Sequence, residues 1–179
     1  MHVGFLGLGS NQGARLAHLQ QGVNGLHRSQ GLQGTAVSPV YETEAHTIDP
    51  EATQRPFLNA VLQVETERTP EAVLHRAQQV ERNEGRPPAA QRDRWAPRPL
   101  DVDVLAIDGL TSATHDLTLP HPRLAERMFV LRPWADLAPN FGVPAPFEAT
   151  VRTLLAQCTD AGAVRRTPYL LTLPSDVRP

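Results

Sequence analysis

Residues 57–67, Phe-Leu-Asn-Ala-Val-Leu-Gln-Val-Glu-Thr-Glu, constrain the fold of this chain more than any other stretch. Leu58, Ala60, Leu62 and Val64 fall on one face, and Phe57, Asn59, Val61, Gln63 and Glu65 on the other. A period of two marks a half-buried strand rather than a helix. Phe57 and Asn59 are thereby neighbours on the less apolar face. A strand of this kind needs neighbouring strands and a covering layer over its apolar side.

The rest of the chain supplies both. Val3 to Leu8 is a short apolar run that reads as a buried strand, and Leu16, Leu19, Val23 and Leu26 then recur at helical spacing, with Ser10 and Asn11 as capping candidates. Gly7-x-Gly9 lacks the third glycine and the later acidic residue of a dinucleotide fingerprint, so it reads as a tight strand-to-helix turn. Thr35 to Thr43 is rich in strand formers, and Pro39 places it at an edge or a bulge. Thr69-Pro70-Glu71 joins an N-cap residue, a proline at the first helical position and an early acid. The helix it opens buries Val73, Leu74, Ala77 and Val80, carries Gln78, Glu81 and Arg82 on its polar side, and ends at Gly85. Leu100 to Ile107 is another strand, with Asp108-Gly109 as a turn after it. Arg123 to Leu131 reads as a helix, as does a short segment around Val151, Leu154 and Leu155. The order β-α-β, β-α-β with a helical end predicts an α+β fold. It is a ferredoxin-like split βαβ sandwich with a mainly antiparallel sheet and peripheral helices. Residues 1–170 are expected to form one domain, and residues 171–179 a flexible C-terminal tail.

Composition narrows the function. A net charge of −2 opposes an electrostatic grip on nucleic acid or on an anionic membrane. No stretch approaches a membrane span, and Met1 to Gln12 has no signal-peptide pattern, so a cytoplasmic protein is expected. The single cysteine, Cys158, excludes an internal disulfide and a multi-cysteine zinc site. All 17 basic residues are arginine. Without lysine there is no P-loop and no Schiff-base nucleophile, so any phosphate must be held by arginine, histidine, backbone or metal.

One stretch answers to that requirement. Residues 86–99 carry four arginines and four prolines without periodicity, which excludes a helix or a central strand. The segment is a loop, and it runs into Leu100-Asp101-Val102-Asp103-Val104-Leu105. In a strand, Asp101 and Asp103 share a face roughly 6–7 Å apart, while Leu100, Val102 and Val104 turn to the core. Taken alone, the two carboxylates are open to a plainer reading as solvated groups on an outer strand face. Beside a cluster of guanidiniums they point to hard-metal and phosphate chemistry, for which a nucleoside triphosphate with Mg²⁺ is a fitting guest. Residues 44–56 lack periodicity and form a second long loop of the kind used as a lid or binding loop.

Arg94 to Leu105 resembles the signature of the 6-hydroxymethyl-7,8-dihydropterin pyrophosphokinase family. Further matching segments are Leu8-Gly9-Ser10-Asn11, Tyr41-Glu42-Thr43, Phe57-Leu58-Asn59-Ala60, Glu81 with Gly85-Arg86, and Leu119-Pro120-His121-Pro122-Arg123 through Arg127 and Phe129. They occur in family order and span Val3 to Pro139. The resemblance implies a ferredoxin-like fold and transfer of pyrophosphate from ATP to the pterin hydroxymethyl group, with release of AMP. It also implies two Mg²⁺ ions on Asp101 and Asp103, and phosphate contacts from Arg86 and Arg98, the latter on the group in transfer. By the same resemblance, Gln78, Glu81, Trp95, Val104, His121, Pro122 and Arg127 line the nucleotide side. Phe57 and Phe129 sandwich the pterin, Asn59 reads its hydrogen-bonding edge, and backbone groups near Thr43 assist. The partners expected are ATP and the pterin, in a monomeric enzyme.

Several positions depart from the family pattern. Glu44 stands where proline is common, Ala96 replaces a common glycine, and the loop 45–55 is long. Pro87-Pro88-Ala89-Ala90 lengthens the arginine loop, leaving Arg92 without a counterpart, and residues after Tyr169 fall outside the resemblance. Two other classes remain in contention on the residues alone. A different Asp-x-Asp metal-dependent transferase explains the aspartates but not Phe57, Asn59 and Phe129. A non-catalytic ferredoxin-like binding module calls for a basic or aromatic sheet face, against the 5% aromatic content and the negative charge.

Overall fold

A computed structural model of the chain describes residues 1–27, 29–45, 54–87 and 96–175. Its centre is a six-stranded, wholly antiparallel sheet. The strands are β1 (His2–Ser10), β2 (Leu32–Val37), β3 (Tyr41–Thr43), β4 (Phe57–Thr66), β5 (Asp101–Ile107) and, near the C-terminus, β10 (Val164–Arg166). They run in the order β10-β3-β4-β1-β5, with β2 also pairing on β4. The expected α+β, ferredoxin-like arrangement is what forms. The helices are α1 (Arg15–His27), α2 (Pro70–Asn83), α3 (Met128–Leu137) and α4 (Val151–Gln157). Two small hairpins complete the fold, β6 (Ser112–Ala113) with β7 (Thr118–Leu119) and β8 (Gly142–Val143) with β9 (Ala149–Thr150).

Strand β4 lies beside β1 along its whole length, from Ser10 opposite Leu58 to His2 opposite Thr66. Its other edge is shared. β2 takes Leu62–Thr66 and β3 takes Phe57–Asn59. Pro39 sits at the break between them, where a residue without an N–H cannot serve a ladder. Ser38 closes the gap, its N–H donating to Val61 O and its Oγ accepting from Val61 N, both at 2.9 Å.

The sheet is covered on both faces. Leu58, Ala60, Leu62 and Val64 of β4 join Leu6 and Leu8 of β1 and Val102 and Val104 of β5 in one core. α1 seals it with Leu19, Val23 and Leu26, and α2 with Val73, Ala77 and Val80. As the sequence motif predicts, Thr69 caps α2, accepting from Ala72 N at 3.3 Å ahead of Pro70. Gly85 follows with φ +85, a conformation that favours glycine. Ser10 and Asn11 do not cap α1. Ser10 is the last residue of β1, and Asn11 Oδ1 instead accepts from Arg98 N at 2.8 Å.

On the opposite face, Phe5, Val61 and Leu105 meet Trp134 of α3 and Val151 and Leu154 of α4 in a second core. Phe5, Trp134 and Phe141 pack with tilted rings, centroids 4.6–5.8 Å apart. This layer covers β4 at Val61 but not at Asn59 and Phe57, and the uncovered end of the sheet becomes a cleft. The expected helix from Arg123 to Leu131 divides instead into a 3-10 turn at Leu124–Glu126, an extended Arg127 (φ −120, ψ 96) and α3. The first residues of the segment expected as a flexible tail pack against the fold. Leu171 is 7% exposed within the α1 core, Leu173 packs against that core, and Gln20 clamps Thr172 through both backbone groups at 2.8 and 3.0 Å. Residues 176–179 lie outside the described residues.

Candidate active site

The cleft, of about 640 Å³, opens over the end of the sheet where α3 stops covering it. Its floor is made by two glycines. In register across three strands, Gly9 of β1 lies between Asn59 of β4 and Asp101 of β5, and Gly7 between Val61 and Asp103. Residues opposite one another in adjacent strands share a face, so β1 contributes no side chain between the amide on one flank and the carboxylates on the other. A Cβ at Gly9 would stand 3.3 Å from Asn59 Oδ1 and 3.6 Å from Phe57 Cδ1. Gly7-x-Gly9 is therefore not a tight turn. Both glycines belong to β1, and they leave that strip of the cleft floor without side chains.

Asp101 and Asp103 share one face of β5, as the alternation requires, while Leu100, Val102 and Val104 are buried on the other. Each carboxylate is matched to arginine. Arg86 contacts both Asp101 and Glu81, and Arg98 reaches Asp101 at 3.1 Å. Arg127 meets Asp103 at 3.0 Å, a reach made possible by its extended backbone before α3. Arg98 and Arg127 also lie over the rings of Phe57 and Phe129, each 5.8 Å from the ring centroid. Burial, reinforced by the neighbouring charge of Asp101, pushes the Asp103 carboxyl above the ordinary carboxylate range despite Arg127.

Behind this row stands Glu81. Burial raises its carboxyl to about 7 against the opposing pull of Arg86, and its Oε1 accepts from Val102 N at 2.7 Å. It ties the end of α2 to β5 and fixes the base of Arg86. Asn59 is 6% exposed and donates from Nδ2 to Thr43 Oγ1 at 2.9 Å, which orients the amide. Arg86 Nε and Arg98 Nε are buried without a hydrogen-bond partner among the described residues. Unspent guanidinium donors of this kind suit phosphate oxygens.

The cleft brings together Thr43, Phe57, Asn59, Arg86, Arg98, Asp101, Asp103, Arg127 and Phe129. Other expected residues stand elsewhere. Val104 is 3% exposed in the core on the opposite face of β5, so its side chain does not line the cleft. Gln78 is exposed on α2, and His121 and Pro122 lie outside the cleft wall. Burial lowers the His121 imidazole below its usual range. Trp95 and Arg92 lie outside the described residues, as does most of the proline-broken loop between Pro87 and Ala96. Sequence reasoning missed Gly7, Gly9, Arg123, Thr159 and Asp160, all of which line the cleft. Thr159 and Asp160 arrive from beyond α4 and carry no local motif.

Among the described residues no group of three or more His, Cys, Asp or Glu could hold a metal ion by itself. Two carboxylates beside spare guanidinium donors suit a hard cation that completes its shell with phosphate oxygens and water, the habit of Mg²⁺. A sheet-borne carboxylate pair facing an aromatic–amide pocket defines a metal-assisted, nucleotide-dependent group transferase.

Comparison with known proteins narrows that class. The family description 7,8-dihydro-6-hydroxymethylpterin-pyrophosphokinase (HPPK) matches residues 5–139, well over half of the chain. The chain belongs to this family. The 2-amino-4-hydroxy-6-hydroxymethyldihydropteridine pyrophosphokinase of Methylorubrum extorquens is 37% identical over 161 residues, covering 90% of this chain and 96% of the relative. The enzyme of the same name from Bacillus subtilis is 36% identical over 76% of this chain and 78% of its own length. That of Mycobacterium leprae is 43% identical over 72% and 68%. Among solved structures, Plasmodium falciparum HPPK-DHPS with pterin and p-hydroxybenzoate superposes with a TM-score of 0.64 at 14% identity. It covers 87% of this chain, which spans 43% of that longer protein, and the likeness bears on the fold alone.

Proposed function

We propose that this protein transfers the pyrophosphoryl group of ATP to the hydroxymethyl oxygen of 6-hydroxymethyl-7,8-dihydropterin, releasing AMP, as a step of folate synthesis. One observation carries the reading. The bare glycine floor sets an aromatic–amide wall (Phe57, Asn59) directly beside a carboxylate–guanidinium wall (Asp101, Asp103, Arg86, Arg98). A flat polar ring and a triphosphate thus have adjoining seats, the arrangement an in-line transfer needs.

On the acceptor side, Phe57 and Phe129 offer faces for the pterin ring. The Asn59 amide, oriented by Thr43, offers its edge a donor and an acceptor. On the donor side, Asp101 and Asp103 would hold Mg²⁺, two ions in our reading. Bound there with the nucleotide, the metal would supply charge neutralisation at the β-phosphorus and the departing AMP. The arginines now paired with these aspartates are the groups that a bound cation would release. Arg86 and Arg98 would then serve the phosphates, with Arg98 on the group in transfer, and Arg127 the nucleotide. Glu81 keeps Arg86 in place from behind. The nucleotide-side parts of Trp95, Gln78, Val104, His121 and Pro122 rest on family resemblance only. We assign the protein as a cytoplasmic monomer. Among the described residues no helix is long and apolar enough to cross a membrane.

Incubation with ATP, Mg²⁺ and 6-hydroxymethyl-7,8-dihydropterin should yield AMP and the pyrophosphorylated pterin in equal amounts. ADP as the sole nucleotide product would refute the transfer. Turnover of another acceptor with the pterin left unchanged would favour a different Asp-x-Asp transferase.

A further inference from the structure

Asp160 lies beyond residues 5–139, the part that the family description matches, yet it lines the cleft. Its Oδ2 accepts from Met128 N at 3.0 Å, and its Oδ1 accepts from Gly162 N at 2.9 Å, which folds its own loop around the carboxylate. Met128 is the first residue of α3, and the residue before it, Arg127, makes no side-chain cap. A helix start leaves N–H groups unpaired and favours negative charge. Asp160 supplies both an acceptor and a charge from a segment 32 residues away.

The peptide it holds is the one that aims the site. Immediately before Met128 stands Arg127, on Asp103 at 3.0 Å. Immediately after it stands Phe129, with the Arg127 guanidinium 5.8 Å from its ring centroid. Arg127 has extended backbone and its side chain makes no cap hydrogen bond to α3, so its direction depends on where the helix begins. We propose that Asp160 is a positioning residue for the transfer reaction. By fixing Met128 N it sets the nucleotide-side guanidinium of Arg127 and the pterin-side ring of Phe129 in one motion. The inference rests on the proposed roles of Arg127 and Phe129. A displacement of about 1 Å in such groups is worth as much as a hundredfold in rate.

The test is steady-state kinetics for both substrates with Asp160→Ala, Asp160→Asn, Phe129→Ala and Thr150→Ala, each well below its Tm. Thr150 caps α4, accepting from Thr153 N at 3.2 Å, away from the cleft. Its loss reports the effect of uncapping a helix as such. Asp160→Ala should lower kcat/KM for the pterin about 10- to 100-fold, with KM for ATP also raised. Asp160→Asn keeps an oxygen for Met128 N but sets its NH2 against Gly162 N and lacks the charge, so it should recover part of that loss. Thr150→Ala should lower Tm and leave both KM values unchanged. Wild-type kinetics in Asp160→Ala would overturn the proposal, and so would an equal loss in Thr150→Ala. An Asp160→Asn variant as impaired as Asp160→Ala would also overturn it, because the oxygen kept for Met128 N would then count for nothing. Phe129→Ala separates the two readings. If it leaves the pterin KM unchanged, the assignment of that wall fails, and the positioning role fails with it. If it raises the KM while Asp160→Ala does not, only the positioning role fails.

Discussion

Asp103 has two competing partners at the scale of single residues. In the structure it is matched to Arg127; in the reaction it would be matched to a cation. With its side chain 37% exposed, the ion pair is worth only about 0–1 kcal/mol to the fold. Asp103→Asn should therefore leave the protein folded, with Tm lowered by no more than a few degrees, and Asp101→Asn should fold as well, because Arg86 keeps its contact to Glu81. Turnover should fall by roughly three orders of magnitude or more, as expected when a metal-holding carboxylate is lost. Wild-type rates in either variant, measured at saturating Mg²⁺, would sink the metal assignment. Gly9 offers a complementary test on the other wall. Adding one methyl group, 3.3 Å from Asn59 Oδ1 and 3.6 Å from Phe57, should raise the pterin KM about tenfold or more with little change in the KM for ATP. Equal changes in the two would show that the floor does not divide the site. Phe57, Asn59, Asp101 and Asp103 were legible as candidates because a period of two assigns faces without any tertiary information. The two glycines between them were not, because a missing side chain leaves no periodic signal and acquires meaning only from what stands opposite in register.

At the scale of elements, β3 is three residues long and carries Thr43 against Asn59, so what anchors it bears on the aromatic–amide wall. Tyr41 of β3 is 3% exposed and donates from Oη to Asp136 Oδ2 of α3 at 2.5 Å. Arg132 pairs with the same carboxylate at 3.3 Å. Tyr41→Phe should cost about 1–2 kcal/mol at neutral pH. Burial, and then the hydrogen bond to Asp136, raise the phenol above its ordinary value of 10.0. A group whose folded-state value is raised gives its stability in full below the unfolded value and loses it as pH climbs through the folded one. Denaturant titrations should thus show the gap between wild type and Tyr41→Phe narrowing above about pH 10. A gap independent of pH would rule out that coupling. Helix α2 was legible down to its cap and its terminating glycine, because both signals are local. α1 was legible as a stripe, but Gly22 was not part of that stripe. A Cβ there would meet Leu8 Cδ2 at 2.9 Å and Leu100 Cδ2 at 3.1 Å, a close approach of helix to sheet that local spacing does not record. The Arg123–Leu131 segment is apolar enough for one helix, and its division at Arg127 accompanies a contact to Asp103, 24 residues away.

The whole molecule is a sheet covered on one face along its length and on the other for only part of it, and the C-terminal segment takes part in both layers. β10 extends the sheet beyond β3, and Thr159 and Asp160 reach the cleft. Leu171 then closes the α1 core. Leu171→Ala should destabilise the protein by about 2–3 kcal/mol, the cost of a buried leucine, and lower Tm by roughly 5–10 °C. An unchanged Tm would restore the view of this segment as a frayed tail. Hydrophobic periodicity, turn residues and the Asp-x-Asp strand were enough to predict the β-α-β order, the sandwich and the chemical character of the cleft. Those features arise from interactions between residues near in sequence, which alternate or cap within a few positions. Which arginine faces which aspartate, why Gly7 and Gly9 are bare, where α3 begins and what Asp160 holds were settled by tertiary structure. Each depends on segments tens of residues apart meeting across strand register and helix packing, and no local pattern encodes that distance.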